Sequence, residues 1–263
     1  MAKQKEKKPV LSIIIPAYNE KNTVLEILNR IVEIKLPEVD KEIIIVESNS
    51  TDGTREAVTE FAAKHREIKL ISEDRPRGKS FAVCNGLNFV TGDIIMIQDA
   101  DSEYDINDYP KVIAPIINRQ ADFVLGSRYL GVSGRKKWQV RQFGSEEKFY
   151  AQILNIGGVV NHLIFNVLYG TKITDPTTMY KVFRKELLDK VEFVERKYFS
   201  LDWEIVCKFV RLGAMPLEVP IQFKGRGKKQ GKKIRILRDG YHALRVIFKY
   251  RFMPLSRILK KKK

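Results

Sequence analysis

The chain has 263 residues, 44% of them hydrophobic, which is enough for one large buried core and too much for an intrinsically disordered protein. Its two cysteines, Cys84 and Cys207, lie far apart; this argues against a disulfide framework and a zinc site, and suits a reducing compartment. The formal charge is +16, yet residues 1–223 carry 32 basic and 31 acidic side chains, so the excess sits in residues 224–263, where sixteen Lys and Arg meet one acid, Asp239.

Met1–Lys8 is polar and basic and has no apolar stretch of the kind a secretory signal needs, so residues 1–9 are expected to be a disordered lead-in. From there the chain alternates. "VLSIIIP" reads as a strand and Asn22–Lys35 as a helix. "KEIIIVE" and "DGTREAVTEFAAKH" repeat the pair, as do "EIKLISE" and "KSFAVCNGLNFV". "GDIIMIQ" follows as a fourth strand, "INDYPKVIAPIINR" as a broken helix and "ADFVLGS" as a fifth strand. Short β-branched runs between amphipathic helices predict a mostly parallel α/β sheet covered on both faces. In such sheets ligands bind beyond the carboxyl ends of the strands. The polar clusters "PAYNE", "ESNSTDGT", "EDRPRGK" and "DADSEYD" all stand at those ends, so they should converge on one crevice.

Beyond residue 130 the pattern loosens. Residues 131–148 read as a Gly- and Lys-rich loop. Residues 151–170 are apolar but carry Gln152, Asn155, His162 and Asn166 at helical spacing, which predicts an amphipathic helix lying on a surface rather than a membrane span. "DPTTMYKVFRKELL", a helix around "LDWEIVCKFVRLG" and a strand "MPLEVPIQF" lead to residue 223. A basic glycine loop, "KGRGKKQGKK", a basic helix from Ile234 to Tyr250 and a disordered tail at Lys260–Lys263 close the chain. The organisation expected is one domain over 10–223, with a basic appendage over 224–263.

The chemistry concentrates after the fourth strand. Asp99 and Asp101 are two apart and face the same way on an extended chain. Carboxylates aimed at one point need a cation between them, and oxygen-only ligands suit Mg²⁺ or Mn²⁺ holding substrate phosphates. Glu103 is the next acid and a candidate further ligand. Arg77 and Lys79, at a predicted helix start, suit an anion. "RGKS" is not a P-loop, because Glu73 stands where that motif needs glycine. Arg128 falls just past the fifth strand, on the crevice side. Asp175, before Pro176, is either a turn cap or a group that positions an acceptor.

Taken together, "SIIIPAYNE", "IIIVESNSTDGT", "RGKSFAVCNGL", "GDIIMIQDADSEYD" and "ADFVLGSRY" resemble the family-2 glycosyltransferases of the GT-A fold over about residues 10–130. "TDPTTMYKVFRKELL" and "EVPIQFKGRGKKQGKK" resemble the polyprenyl-phosphate branch typified by dolichyl-phosphate mannose synthase. The resemblance implies a nucleotide-sugar half over about 10–130 and an acceptor half over about 131–223. It also implies C-terminal amphipathic, membrane-facing helices. Pro16, Tyr18 and Glu20 would line the nucleotide pocket, with Glu47 and Ser48 where relatives place two Asp. Asp99 and Asp101 match the DXD motif, Asp101 the principal ligand, and Glu103 stands at a further ligand position. Arg128 and Arg226 would reach the donor, and Arg141 the acceptor phosphate. Asp202 and Glu204 stand where relatives with hydroxyl acceptors place a base.

The reaction implied is inverting transfer of a sugar from a nucleotide diphosphate sugar, GDP-mannose or a UDP-hexose, to a polyprenyl or dolichyl phosphate. A phosphate acceptor is already ionised and needs no base. A hydroxyl acceptor on a glycan or glycolipid is the alternative. The basic tail, with Arg245, Lys249, Arg251 and Arg257 among Leu244, Val246, Ile247, Phe248 and Phe252, suits an anionic membrane surface on the cytosolic side. A separate membrane-anchoring subunit is left open. Two rivals fit less well: a sugar-phosphate nucleotidyltransferase would need a glycine-rich N-terminal loop, and a nucleic-acid-binding module would leave the paired acids without a purpose.

Overall fold

The computed structural model describes residues 7–130, 148–225 and 236–260. The first half alternates as the apolar pattern predicts: β1 (Val10–Ala17), α1 (Val24–Glu33), β2 (Asp40–Glu47), α2 (Thr54–Ala63), β3 (Ile68–Ser72), α3 (Lys79–Leu87), β4 (Ile94–Ile97), α4 (Tyr109–Ile117) and β5 (Phe123–Ser127). The second half supplies α5 (Lys148–Tyr169), β6 (Lys181–Arg184), α6 (Lys185–Lys190), α7 (Ser200–Arg211), β7 (Leu217–Pro220), α8 (Ile236–Phe252) and α9 (Leu255–Ile258). The seven strands form one sheet in the order β3-β2-β1-β4-β6-β5-β7.

All neighbours are parallel except β6, which runs antiparallel to both β4 and β5. The continuous runs Ile13–Ile15 and Ile43–Val46 are fully buried, as strands covered on both faces must be. Helix α3 lies so close to β1 that a Cβ on Gly86 would come within 2.6 Å of Ile14 Cγ2, and only glycine permits that approach.

Helix α8 belongs to the body rather than to a loose appendage. Val246, Ile247 and Tyr250 are buried in the main core, and Arg211 of α7 donates to the carbonyls of Tyr250, Arg251 and Met253 at the helix end (2.5, 2.6 and 3.1 Å). Lys260 still bonds Lys190 O at 2.8 Å; only residues 261–263 of the expected tail fall outside the described residues.

Helix α5 turns all of its polar stripe inward except Gln152, which is exposed. Asn155 and His162 are buried, His162 Nε2 lies 3.2 Å from Thr177 Oγ1, and Asn166 bonds Thr171 and Ile173. The outer face is apolar: Ile156, Val160, Leu163 and Val167 are exposed. By length and composition, with mean hydropathy 1.3 over Ala151–Tyr169, the helix would suffice to cross a membrane, although the sequence pattern predicts one that lies on a surface.

Candidate active site

Strand order reverses between β1 and β4, with β2 and β3 lying to one side, which is where open α/β sheets bind ligands. A cleft of about 580 Å³ opens there. One wall comes from the strand ends: Pro16, Tyr18 and Glu20 after β1, Ser48 after β2, and Asp99, Asp101 and Glu103 after β4. Pro76 to Lys79 and Ala82, around the start of α3, also line it. The remaining lining comes from Lys197, Tyr198 and Phe199, before α7, with Arg238 of α8.

Hydrogen bonds cross-brace the first wall. Asn19 and Asn49 adopt left-handed backbone, the region that Asn tolerates best. Asn19 N donates to Ser50 Oγ (3.1 Å) and Thr51 N to Asn19 Oδ1 (2.9 Å). Glu20 N donates to Thr54 Oγ1 (3.0 Å) and Lys21 N to Asp52 Oδ2 (3.1 Å). Thr23, ahead of α1, donates to Ala100 O at 2.9 Å, which ties this wall to the acidic loop. The loops after β1, β2 and β4 are thereby fixed before any ligand arrives.

The acidic loop is held from below. Tyr109 OH donates to Gln98 Oε1 (2.9 Å), and Gln98 Nε2 to Asp99 O (2.8 Å). Tyr104 packs on Tyr180 and Phe223, and Lys224 N donates to Glu103 O (2.8 Å). Asp99 pairs with Lys79 Nζ at 2.5 Å. Burial opposes the charge on Lys79, but Asp99, Asp202 and Asp101 outweigh it and hold its pKa above the ordinary lysine value.

Among the described residues no three Asp, Glu, His or Cys side chains converge to hold a metal by themselves. The expected three-ligand set of Asp99, Asp101 and Glu103 is therefore not assembled by the protein alone; Asp101 Oδ1 accepts the backbone N–H of Glu103 at 3.0 Å. The donor chemistry still fits Mg²⁺ or Mn²⁺. Asp99 and Asp101 are among the carboxylates that line the cleft, and a cationic ammonium is already drawn onto Asp99; a hard ion would take its other ligands from water and a diphosphate.

Several residues expected at the crevice are placed elsewhere. Glu47 is fully buried, with its oxygens taken by Ser50 N (2.6 Å) and Arg55 Nε (2.5 Å); it shapes the loop, and Ser48 is the neighbour that reaches the cleft. Arg128 and Asp175 are both buried and pair with each other through Nε and Nη2, at 2.7 Å each. Burial would raise the Asp175 pKa, but the Arg128 guanidinium pulls it below the usual carboxylate range. Neither lines the cleft, because a buried guanidinium needs its carboxylate more than a distant substrate does.

Asp202 pairs with buried Lys181 at 2.7 Å and also acts on Lys79 of the cleft. Glu204 faces the core, where it accepts from Val194 N, Glu195 N, Tyr250 OH and Lys208 Nζ, so it is structural and not a base. Arg141 and Arg226 lie outside the described residues. The sequence pattern missed Lys197, Tyr198, Phe199 and Arg238; the signal present was the basic and aromatic cluster "ERKYFS" ahead of a helix.

Known proteins share both sequence and fold with this chain. A family model described as Glycosyl transferase family 2 matches residues 12–192. The dolichol-phosphate mannosyltransferase of Pyrococcus furiosus is 29% identical over 259 residues, covering 95% of this chain and 69% of that protein. The protein of the same name from Saccharomyces cerevisiae is 27% identical over 237 residues, covering 85% and 82%. Glucosyl-3-phosphoglycerate synthase from Mycobacterium tuberculosis, solved with Mn²⁺, UDP and phosphoglyceric acid, superposes with a TM-score of 0.63 at 18% identity, over 94% of this chain and 80% of that one. A mannosyltransferase from Pyrobaculum calidifontis, solved with GDP-Man and Mn²⁺, gives 0.52 at 22% identity, over 82% and 56%. The sheet and its flanking helices are those of the GT-A fold.

Proposed function

The chain belongs to glycosyl transferase family 2 and is a glycosyltransferase, and on that premise we propose that it moves a hexosyl group from GDP-mannose or a UDP-hexose to a polyprenyl or dolichyl phosphate, with inversion. The observation that carries this is the Asp99–Lys79 pair, with Asp101 lining the same cleft at the strand-order reversal.

The base and ribose lie along Pro16–Glu20 and Ser48. Asp99 and Asp101 would hold a divalent ion, which would supply neutralisation of the charge developing on the departing diphosphate. Lys79 and Arg77 face the same anion from the start of α3. An acceptor phosphate oxygen attacks the anomeric carbon as the bond to the diphosphate oxygen breaks, and the electron pair leaves with the nucleoside diphosphate. No proton moves, because a phosphate monoester is already ionised near neutral pH. This fits a site whose two expected bases, Asp202 and Glu204, are committed to Lys181 and to the core. The names of the two relatives, dolichol-phosphate mannosyltransferases, support the same acceptor class.

The proposal also sets the enzyme on a membrane surface, with the apolar outer face of α5 and exposed Phe248 and Phe252 of α8 toward the lipid. The test is a donor screen with Mg²⁺ or Mn²⁺ and a polyprenyl phosphate, reading labelled lipid product. Asp101→Ala should abolish product formation. Product at the wild-type rate in that variant would reject the site.

A further inference from the structure

The cleft carries two further cations, Lys197 and Arg238, to which the donor chemistry assigns no role. They line the same cleft as Asp99 and Asp101. An anionic nucleophile approaching those carboxylates is repelled unless positive charge meets it on its own side. We infer that Arg238 and Lys197 form the subsite for a phosphate monoester dianion, that of the acceptor. This rests on the reading above of transfer to a lipid phosphate.

The subsite is built rather than incidental. Tyr198 has left-handed backbone, uncommon for a tyrosine, and its carbonyl accepts from Ser80 Oγ in the first turn of α3, at 2.5 Å. The residue before Ser80 is Lys79, so the loop carrying Lys197 is pinned to the helix start that faces the donor. From the other side, Arg238 and His242 lie four apart on one face of α8 and both pack on the Tyr198 ring, at 4.0 and 4.4 Å. Asp239 accepts from Arg238 Nε at 2.9 Å, which fixes the guanidinium plane. Among the described residues no acceptor bonds its Nη atoms. An oriented guanidinium fork suits two oxygens of one phosphate, and Lys197 at the rim adds a point charge.

The experiment measures decyl monophosphate binding by calorimetry, with Mn²⁺ and nucleoside diphosphate saturating. Arg238→Gln and Lys197→Gln together should weaken decyl phosphate at least tenfold and leave nucleoside diphosphate affinity within twofold, which also shows that the variant is folded. Arg238→Lys should recover part of the loss. In transfer assays the pair should raise the acceptor KM and spare kcat. Unchanged decyl phosphate affinity, or nucleotide affinity that falls as far, overturns the subsite. Should the wild type bind decyl phosphate through these residues and yet glycosylate no polyprenyl phosphate, the subsite stands and the acceptor reading fails.

Discussion

At the scale of single residues, the lysine on Asp99 is the most informative contact. Lys79 occupies with its own charge the place where a divalent ion is expected. A metal bound there would compete with the ammonium for one carboxylate, and a diphosphate that drew the ammonium away would favour the metal. Replacing Lys79 by Met removes the competitor and one phosphate contact together. Mn²⁺ affinity without nucleotide should rise, by about tenfold or ~1.4 kcal/mol, while nucleoside diphosphate affinity falls. Titration of each ligand separately checks this; Mn²⁺ affinity that stays level or drops refutes the competition. Acids at the end of a hydrophobic strand were legible in the sequence because their spacing is itself the signal. The partners of Arg128, Asp175, Asp202 and Glu204 were not, because each is held at least in part by a group distant in the chain, and Glu47 is taken by its own loop and the helix after it, through Ser50 and Arg55. Arg128 and Asp175 are 47 residues apart, and Tyr250 reaches Glu204 across 46.

Among the elements, those with a strong local period were legible and those defined by their neighbours were not. Strands β1 to β5 and their helices announce themselves by continuous β-branched runs and amphipathic spacing. Strand β6 is four residues, "KVFR", with a buried lysine at its start. Nothing local marks it; it is a strand because β4 and β5 leave room between them. Helix α5 shows the opposite failure, since its period is plain but its orientation is not. Asn155, His162 and Asn166 of the polar stripe face the body, whereas Gln152 and the apolar stripe face out.

The basic helix α8 spends much of its charge on the protein itself. Arg245 and Lys249 both bond Glu195, and Arg251 donates to Leu168 O. Attachment to lipid should then depend more on apolar contact than on these cations. Leu163→Glu with Val167→Glu, at positions 62% and 73% exposed, should cut co-sedimentation with anionic vesicles about tenfold and leave the circular dichroism spectrum unchanged. Equal pelleting of variant and wild type would remove α5 from the interface.

For the molecule as a whole, the buried Arg128–Asp175 pair joins the end of β5 to the segment ahead of β6 and sets an acid limit. The folded pKa of Asp175 is depressed, so its contribution is complete above the unfolded value of about 3.9 and is lost as pH falls through the lower folded value. Glu195, held low by Lys249 and Arg245 against the opposing effect of burial, acts in the same direction. Asp175→Asn should cost about 3–5 kcal/mol at neutral pH, by stranding Arg128. Its urea-unfolding stability should also fall less steeply than that of wild type between about pH 4 and pH 2. Parallel pH profiles for the two proteins would show that Asp175 is not the group responsible.

The interposed position of β6 reaches beyond the finished fold. A nascent chain leaving the ribosome makes β4 and β5 early but cannot join them, since residues 181–184 must slot between the two. Until about the last third of the polypeptide is synthesised, both strands present open edges of the sort that invite mispairing with other chains. The mispairing hazard of this fold therefore falls in the interval before residues 181–184 leave the exit tunnel.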